Sequence, residues 1–222
     1  MEWEPLLLSI RVAAMGTVVA GVIGVAVGAW LSGRRFFGRD LIDAVFSLPM
    51  VMPPTVLGYY LLVVLGRRSP VGQMYEMLTG ASIVFTATGA VVAATVGALP
   101  LVAKTARASF EAVDPRLVDA ARTLGASPWR AFFTVKLPLA WKGVGAGLML
   151  GYARALGDFG VTLMIAGNIP GETRTASLAI YDAVQAGRQG EAAGMIGVMS
   201  ALAIGTLWVV NKVSGAGHAA GR

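Results

Sequence analysis

The 222-residue chain is 56% hydrophobic and only 14% charged, with a mean hydropathy of +0.70 and a net charge of +6. Soluble domains usually carry about 25% charged residues, so this composition excludes an ordinary soluble globule and predicts an integral membrane protein. The basic residues lie mainly between apolar runs rather than on one polar face, which argues against nucleic-acid binding. There is no cysteine, so disulfides and thiolate metal sites are excluded.

Five apolar segments approach the ~20 residues needed to cross a bilayer, and they predict an all-α membrane fold. They cover residues 12–31, 41–65, 82–103, 144–166 and 192–210. A sixth segment, residues 176–186, has Leu178, Tyr181 and Val184 at helical spacing, but it is too short to span and is expected to lie at a surface. No folded soluble domain fits between the spans. Residues 1–222 are therefore predicted to form a single transmembrane domain.

Lys and Arg in the loops predict the orientation, because basic loops stay on the cytoplasmic side. Most of the eighteen Lys and Arg residues lie in the loops 32–40 and 104–143 and in the tail 211–222. These segments are therefore predicted to be cytoplasmic, with the N-terminus outside and the C-terminus inside. The start of the chain is acidic, with Glu2 and Glu4, so no cleaved secretory signal is expected.

The longest polar loop, residues 104–143, predicts two short helices joined by a glycine turn. Asp114 can cap the first helix, and Pro115 suits its first position. Gly125 suits the left-handed residue that ends many helices. Ser127 followed by proline repeats the pattern of a capped start and predicts a second short helix.

One face of the first helix is compact and apolar. Leu117, Ala121 and Leu124 share this face, and Ala120 lies beside it. Such a face could seat in a groove on a partner protein. It could equally lie on the membrane as an interfacial helix. The helix pattern leaves both interpretations open.

The same loop resembles the cytoplasmic signature of ABC importer permeases, which reads Glu-Ala-Ala, three residues, Gly, nine residues, Ile, one residue, Leu-Pro. The matching residues here are Asp119, Ala120, Ala121, Gly125, Val135, Leu137 and Pro138. The spacing is the same throughout, and the two differences, Asp for Glu and Val for Ile, are conservative. The resemblance implies a type I ABC importer permease fold. It also implies that these residues, with Leu124 at the helix end, form the coupling helix that contacts an ATP-hydrolysing subunit.

A narrower resemblance covers nearly the whole chain and points to the molybdate-transporting branch of this family. It is carried by Leu48-Pro49, Pro53-Pro54, Gly58-Tyr59, Gly66-Arg67-Arg68 and the segments 120–126 and 168–175. Tungstate and sulfate permeases are near relatives, so these oxyanions remain alternative substrates. The resemblance implies a multi-pass protein of the cell membrane that moves molybdate by alternating access. The implied partners are a second copy of the chain, two ATPase subunits and one extracytoplasmic oxyanion-binding protein.

The chain has no Gly-Lys-Ser/Thr phosphate loop, so we expect it to bind no cofactor and to leave Mg-ATP to the partner ATPase. No nucleophile–base pair or metal-ligand cluster suggests a membrane enzyme. A secondary transporter driven by an ion gradient would predict an inverted repeat and intramembrane titratable groups. Only one such charge pair is evident, and no repeat, so the chain is predicted to be a transport subunit without its own enzymatic site.

Prolines and charges inside the predicted spans are candidates for the pathway, its gate or a subunit interface. Pro49, Pro53 and Pro54 lack amide hydrogens, so the second span should kink or loosen. That segment either gates the pathway or only shapes packing. Arg154 and Asp158 lie four residues apart in the fourth span and are predicted to pair on one helical face. They act either as a clamp at the subunit interface or as a group that meets the anion.

Overall fold

The computed structural model describes residues 3–33 and 37–215, with side chains described as far as residue 212. All regular structure in these residues is helical, which confirms the predicted fold class. The helices are α1 (Glu4–Leu31), α2 (Arg39–Val51), α3 (Pro54–Leu65), α4 (Pro70–Thr79), α5 (Ala87–Glu111), α6 (Pro115–Thr123), α7 (Pro128–Ala131), α8 (Leu137–Leu156), α9 (Gly160–Ala166), α10 (Ala176–Gln185) and α11 (Gln189–Gly215). A π-helical turn, Phe132–Lys136, joins α7 to α8. Arg34, Arg35, His218 and the rest of the tail beyond residue 215 lie outside the described residues.

Three helices, or up to five if each bent pair is counted as one span, are candidate membrane crossings within the described residues. α1, α5 and α11 are each long and apolar enough to cross a bilayer alone. Two further crossings are bent pairs, α2 with α3 and the helix from Pro128 to Leu156 with α9. Counting each pair as one span gives the five that the sequence predicts. The tenth helix, α10, is too short to cross.

Helix α5 forms the centre of the bundle and packs against α1, α8, α9 and α2. Small residues make its contact with α1 close. A methyl group added at Gly28 would lie 2.8 Å from the carbonyl oxygen of Ala103 and from the amide nitrogen of Arg107. Close backbone approach through small residues is how helices associate in lipid, where no hydrophobic force drives them together. The α1–α5 contact therefore depends on glycine.

The second predicted span is broken rather than kinked. α2 and α3 meet at 114°, and the residues between them, Met52 and Pro53, are extended. Each precedes a proline, and the ring of a following proline disfavours helical backbone in the residue before it. Pro49 lies inside α2 and does not end it. The consecutive pair Pro53-Pro54 therefore causes the break.

The fourth predicted span is also broken, which corrects the expectation of one continuous helix over 144–166. α8 ends at Leu156, and α9 starts at Gly160 after a bend of 64°. Asp158 lies in the break, so Arg154 and Asp158 do not share a continuous helix. The sequence does not indicate this break, because Gly157 and Gly160 resemble the other small residues of the span.

Helix ends also differ from the predicted limits. α5 replaces the predicted span 82–103, because Thr86 caps its start through the Gly89 amide and the helix continues to Glu111. The predicted second short helix of the loop runs without a break through the π turn into α8. α4 was not predicted; the Ser69 side chain caps it.

The predicted surface helix at residues 176–186 forms as α10, but its buried face is different from the expected one. Leu178 is fully buried, whereas Tyr181 and Val184 are largely exposed. The inward face consists mainly of the alanines Ala176, Ala179 and Ala183, which pack against α1 and α11. α10 therefore belongs to the bundle at one edge rather than lying free on a surface.

Candidate coupling and pathway sites

Helix α6 is stabilised by capping interactions at both ends. At the start, Asp114 accepts a hydrogen bond from the Arg116 amide at 2.9 Å. At the end, Gly125 has φ +87°, a left-handed conformation that glycine adopts without strain. The Ala126 amide donates a hydrogen bond to the Ala121 carbonyl, and the Gly125 amide donates one to the Arg122 carbonyl. This pair of hydrogen bonds is the Schellman motif. Local sequence alone therefore fixes this nine-residue helix.

Helix α6 contacts α7 and the π turn, and most of its surface is exposed. None of its residues is buried, and Ala120 is exposed while Ala121 is partly so. Leu124, immediately after the helix, has 90% of its surface exposed. A rigid helix that ends in a fully exposed leucine presents an apolar face suited to a partner protein.

The second half of the predicted coupling signature lies at the root of the fourth span. Val135 is in the π turn, and Leu137 and Pro138 open α8. Leu137 packs against the cluster around Phe110 of α5. In a regular α-helix the Pro138 ring would clash with the carbonyl of Thr134, and the wider π turn lies at that point. From Pro128 the backbone therefore continues without a helix break through the π turn into α8.

The two broken spans meet each other inside the bundle. A methyl group added at Gly160 would lie 2.8 Å from Cβ of Pro54, and one at Gly58 would lie 2.6 Å from Cβ of Met164. α3 and α9 are thus in close contact just beyond both breaks. The sequence analysis selected Pro54 without indicating the segment that it contacts.

The predicted Arg154–Asp158 ion pair forms, and Asp158 also accepts hydrogen bonds from Thr162. Arg154 Nη1 donates to Asp158 Oδ1 at 3.1 Å, although only 3% of the Asp158 side chain is exposed. Oδ2 accepts from the Thr162 amide at 2.9 Å and from its hydroxyl at 2.7 Å. Asp158 therefore ties the end of α8 to the first turn of α9. Arg154 retains 37% side-chain exposure, so it also faces out of the described chain.

An ion-pair cluster that the sequence analysis missed joins α2 to α5 near the α6 loop. Arg107 contacts Asp43 and Glu111 at 3.0 Å each, and Arg39 also pairs with Glu111. Only the Arg107–Glu111 spacing of four residues could have indicated part of it. The cluster fixes the start of the broken second span to the helix that leads into α6.

The loop 167–175 at the opposite end of the bundle is also organised by polar contacts. Arg174 pairs with Asp182 at 3.2 Å and donates to Asn168, which in turn donates to Asp182. The buried Thr173 hydroxyl accepts from the Ile169 amide at 3.0 Å. The segment that carries part of the narrower resemblance is therefore a fixed turn against α10. Within the described residues, no group of His, Asp and Glu could hold a metal ion.

Sequence comparison places the chain among transport permeases. Residues 20–217 match the family described as binding-protein-dependent transport system inner membrane component. The chain is 46% identical to the molybdenum transport system permease protein ModB of Haemophilus influenzae, over 83% of this chain and 81% of the relative. It is 42% identical to ModB of Escherichia coli strain K12, over 94% and 91%. A probable sulfate transport system permease protein of Chlorella vulgaris is 32% identical, over 92% and 77%.

Solved structures share the fold at low sequence identity. A chain of the MetNI methionine ABC transporter, in an inward-facing conformation, aligns with a TM-score of 0.67 at 17% identity, covering 94% of both chains. A chain of a bacterial ABC transporter that imports the acidic polysaccharide alginate gives 0.69 at 12% identity, covering 99% of this chain and 79% of that one. With its matched residues, its candidate membrane crossings and this shared fold, the chain belongs to the binding-protein-dependent transport system inner membrane components, the multi-pass membrane permeases of type I ABC importers.

Proposed function

We propose that the chain is the permease subunit of a molybdate importer. Two copies would pair around one pathway, two ATPase subunits would bind inside, and one oxyanion-binding protein would deliver the anion outside. The observation that carries the coupling assignment is α6: a helix capped at both ends and without a buried residue. The short turn at residues 124–127 joins it to α7, which is continuous with α8 through the π turn. Its apolar face would dock in a cleft of the ATPase.

Alternating access follows from this arrangement. ATP binding would close the ATPase pair and bring the two copies of α6 together. Because only the turn at residues 124–127 separates α6 from the helix that runs from Pro128 into α8, that movement would reach the α8–α9 break and the α3 segment packed against it. The pathway would open outward to accept the anion, and hydrolysis would reset the inward-facing state. The N-terminus outside and the C-terminus inside are consistent with the positions of the basic loops.

Molybdate is the substrate that the relatives favour. The relatives named as molybdenum permeases are 42–46% identical, whereas two named for sulfate are 32% and 34% identical. Sulfate and tungstate are tetrahedral oxyanions like molybdate, so tungstate in particular is the second candidate. Selection among them is expected to lie mainly in the binding protein.

Stimulation of ATP hydrolysis by molybdate tests this proposal. We expect the chain, reconstituted with its ATPase and binding protein, to hydrolyse ATP several-fold faster with loaded binding protein than without it, and sulfate to give little stimulation. The physical reason is that only the loaded binding protein stabilises the outward-facing state. Omitting the binding protein is the control. Molybdate uptake by the chain alone, driven by an ion gradient without ATP, would instead identify a secondary transporter.

We propose further that the α2–α3 break forms part of the gate. The carbonyl groups freed around Met52 and Pro53 need a partner in protein or in a watered cavity, since lipid offers none. The adjoining faces are exposed: α2 has no buried residue, and Tyr59 and Tyr60 of α3 point out of the described chain. A second copy placed against α2 and α3 would enclose this break at the subunit interface.

Replacing both Pro53 and Pro54 with alanine is expected to reduce molybdate uptake about tenfold while ATP hydrolysis continues. Without the prolines, residues 52 and 53 can become helical, which would straighten the span and move α3 away from Gly160. The measurement is uptake per ATP hydrolysed in proteoliposomes. Pro70→Ala is the matched control, since Pro70 starts the short helix α4 outside any crossing. Normal uptake in the double variant would restrict these prolines to a packing role.

A further inference from the structure

A long apolar groove separates α1 from the segment that follows α6. It has a volume of about 950 Å³ and runs along α1 from Thr17 to Trp30, a distance of about 20 Å. Trp129, Phe133 and Leu137 form its opposite wall, and Gly21 and Leu148 close its floor. The groove therefore starts near mid-span and ends where α1 ends and α8 begins.

The end of this groove has the features of a bilayer boundary. Trp30, Trp129 and Trp141 lie at this end of the bundle and expose more than half of their surfaces. Tryptophan concentrates at the headgroup level of membranes, where its ring is part apolar and part polar. The apolar length of the groove lies on the hydrocarbon side of this belt.

A lysine lies just beyond the lined part of the groove, since Lys136 adjoins the lining residue Leu137 in the chain. Lys136 Nζ donates to Ser32 Oγ at 3.0 Å, just beyond the end of α1, and lies 5.6 Å from the centre of the Phe110 ring. The ammonium group has further donors to offer. Its nearest carboxylate, Glu111, is already bound by Arg39 and Arg107. Arg130 is a second exposed cation on this side, with no ion-pair partner in the described part of the chain.

From this combination we infer that the groove binds one anionic phospholipid, with an acyl chain between α1 and the π-turn segment and its phosphate on Lys136. Basic groups beside apolar clefts at the membrane surface are where anionic headgroups bind. A second copy of the chain fits less well, because the α2 face and α11 leave larger apolar surfaces open; only 11% of the α11 span is buried. Trp129 lies in α7 and Phe133 in the π turn, both of which contact α6, so the bound lipid would stabilise the segment that joins α6 to α8.

Native mass spectrometry of the full chain in mild detergent tests this site with phosphatidylglycerol and phosphatidylcholine of the same acyl length. We expect phosphatidylglycerol to be retained about fivefold better than phosphatidylcholine. This ratio corresponds to the attraction between one cation and an anionic headgroup. Lys136→Gln should remove that preference while leaving phosphatidylcholine binding unchanged. Ala26→Phe or Val22→Trp, at exposed positions that line the groove, should lose both lipids.

Matched controls lie on the same helices. Ile23 is exposed on α1 outside the groove, and Lys142 is exposed on α8, so Ile23→Trp and Lys142→Gln should bind both lipids as the unchanged chain does. Equal retention of the two lipids by the unchanged chain would overturn the inference. So would groove variants that keep their lipid, or groove variants that alter only the ratio of monomer to dimer, since the latter would make a second copy the occupant. Each variant's thermal unfolding midpoint identifies any that fails to fold.

Discussion

Replacing Gly125 with valine is expected to reduce molybdate-stimulated ATP hydrolysis about tenfold without lowering the stability of the bundle. A branched side chain at φ +87° costs roughly 1–2 kcal/mol, which is enough to open the Schellman turn and to shift most molecules away from the docked form of α6. Because α6 has no buried residue, the loss should fall on coupling rather than on folding. The measurement is the hydrolysis rate of the reconstituted complex with and without loaded binding protein.

A matched control exists at the other end of the bundle. Gly80 ends α4 with φ +72°, and like Gly125 it has no atom within 4 Å of an added Cβ. Gly80→Val therefore imposes similar backbone strain at a turn that the proposal gives no role in coupling, and stimulated hydrolysis should remain near normal. If Gly125→Val were equally harmless, or if cross-links from Ala120 never reached an ATPase subunit, α6 would lose its assigned role.

The features that local sequence controls were predictable. Caps, a proline at the first helical position and a glycine after the last turn act over a few residues, so the limits of α6 follow from Asp114, Pro115 and Gly125. Apolar length likewise predicts five crossings, since bilayer thickness sets that length. In both cases the physical cause lies within one segment of the chain.

Features that depend on contacts between segments were not predictable. Prolines indicated a kink at residue 53, but a bend of 114° also requires α9 to receive α3, with Gly58 and Gly160 allowing the approach. The break at Asp158 has no proline to mark it. The cluster of Arg39, Asp43, Arg107 and Glu111 forms across two helices, and only the packing of α2 on α5 brings these charges together.

Replacing Asp158 with alanine is expected to lower the thermal unfolding midpoint of the permease by about 6–12 °C. The substitution leaves Arg154 without its counter-ion inside the membrane and removes both bonds to Thr162, a loss of about 3 kcal/mol for a chain of this length. The measurement is thermal unfolding in detergent. Glu191→Ala is the control, because Glu191 pairs with Arg188 at an exposed surface, where an ion pair contributes at most about 1 kcal/mol.

The double variant Arg154→Met, Asp158→Ala separates the two roles left open for this pair. Removing the unpaired cation should recover part of the lost stability, since the cost of Asp158→Ala arises largely from a charge without a partner in a medium of low dielectric constant. If the pair is a clamp, molybdate uptake should recover together with the unfolding midpoint. Recovery of stability without recovery of uptake would instead place the Arg154 guanidinium in contact with the transported anion. Because Asp158 partly neutralises this guanidinium, it would bind the anion weakly enough to release it.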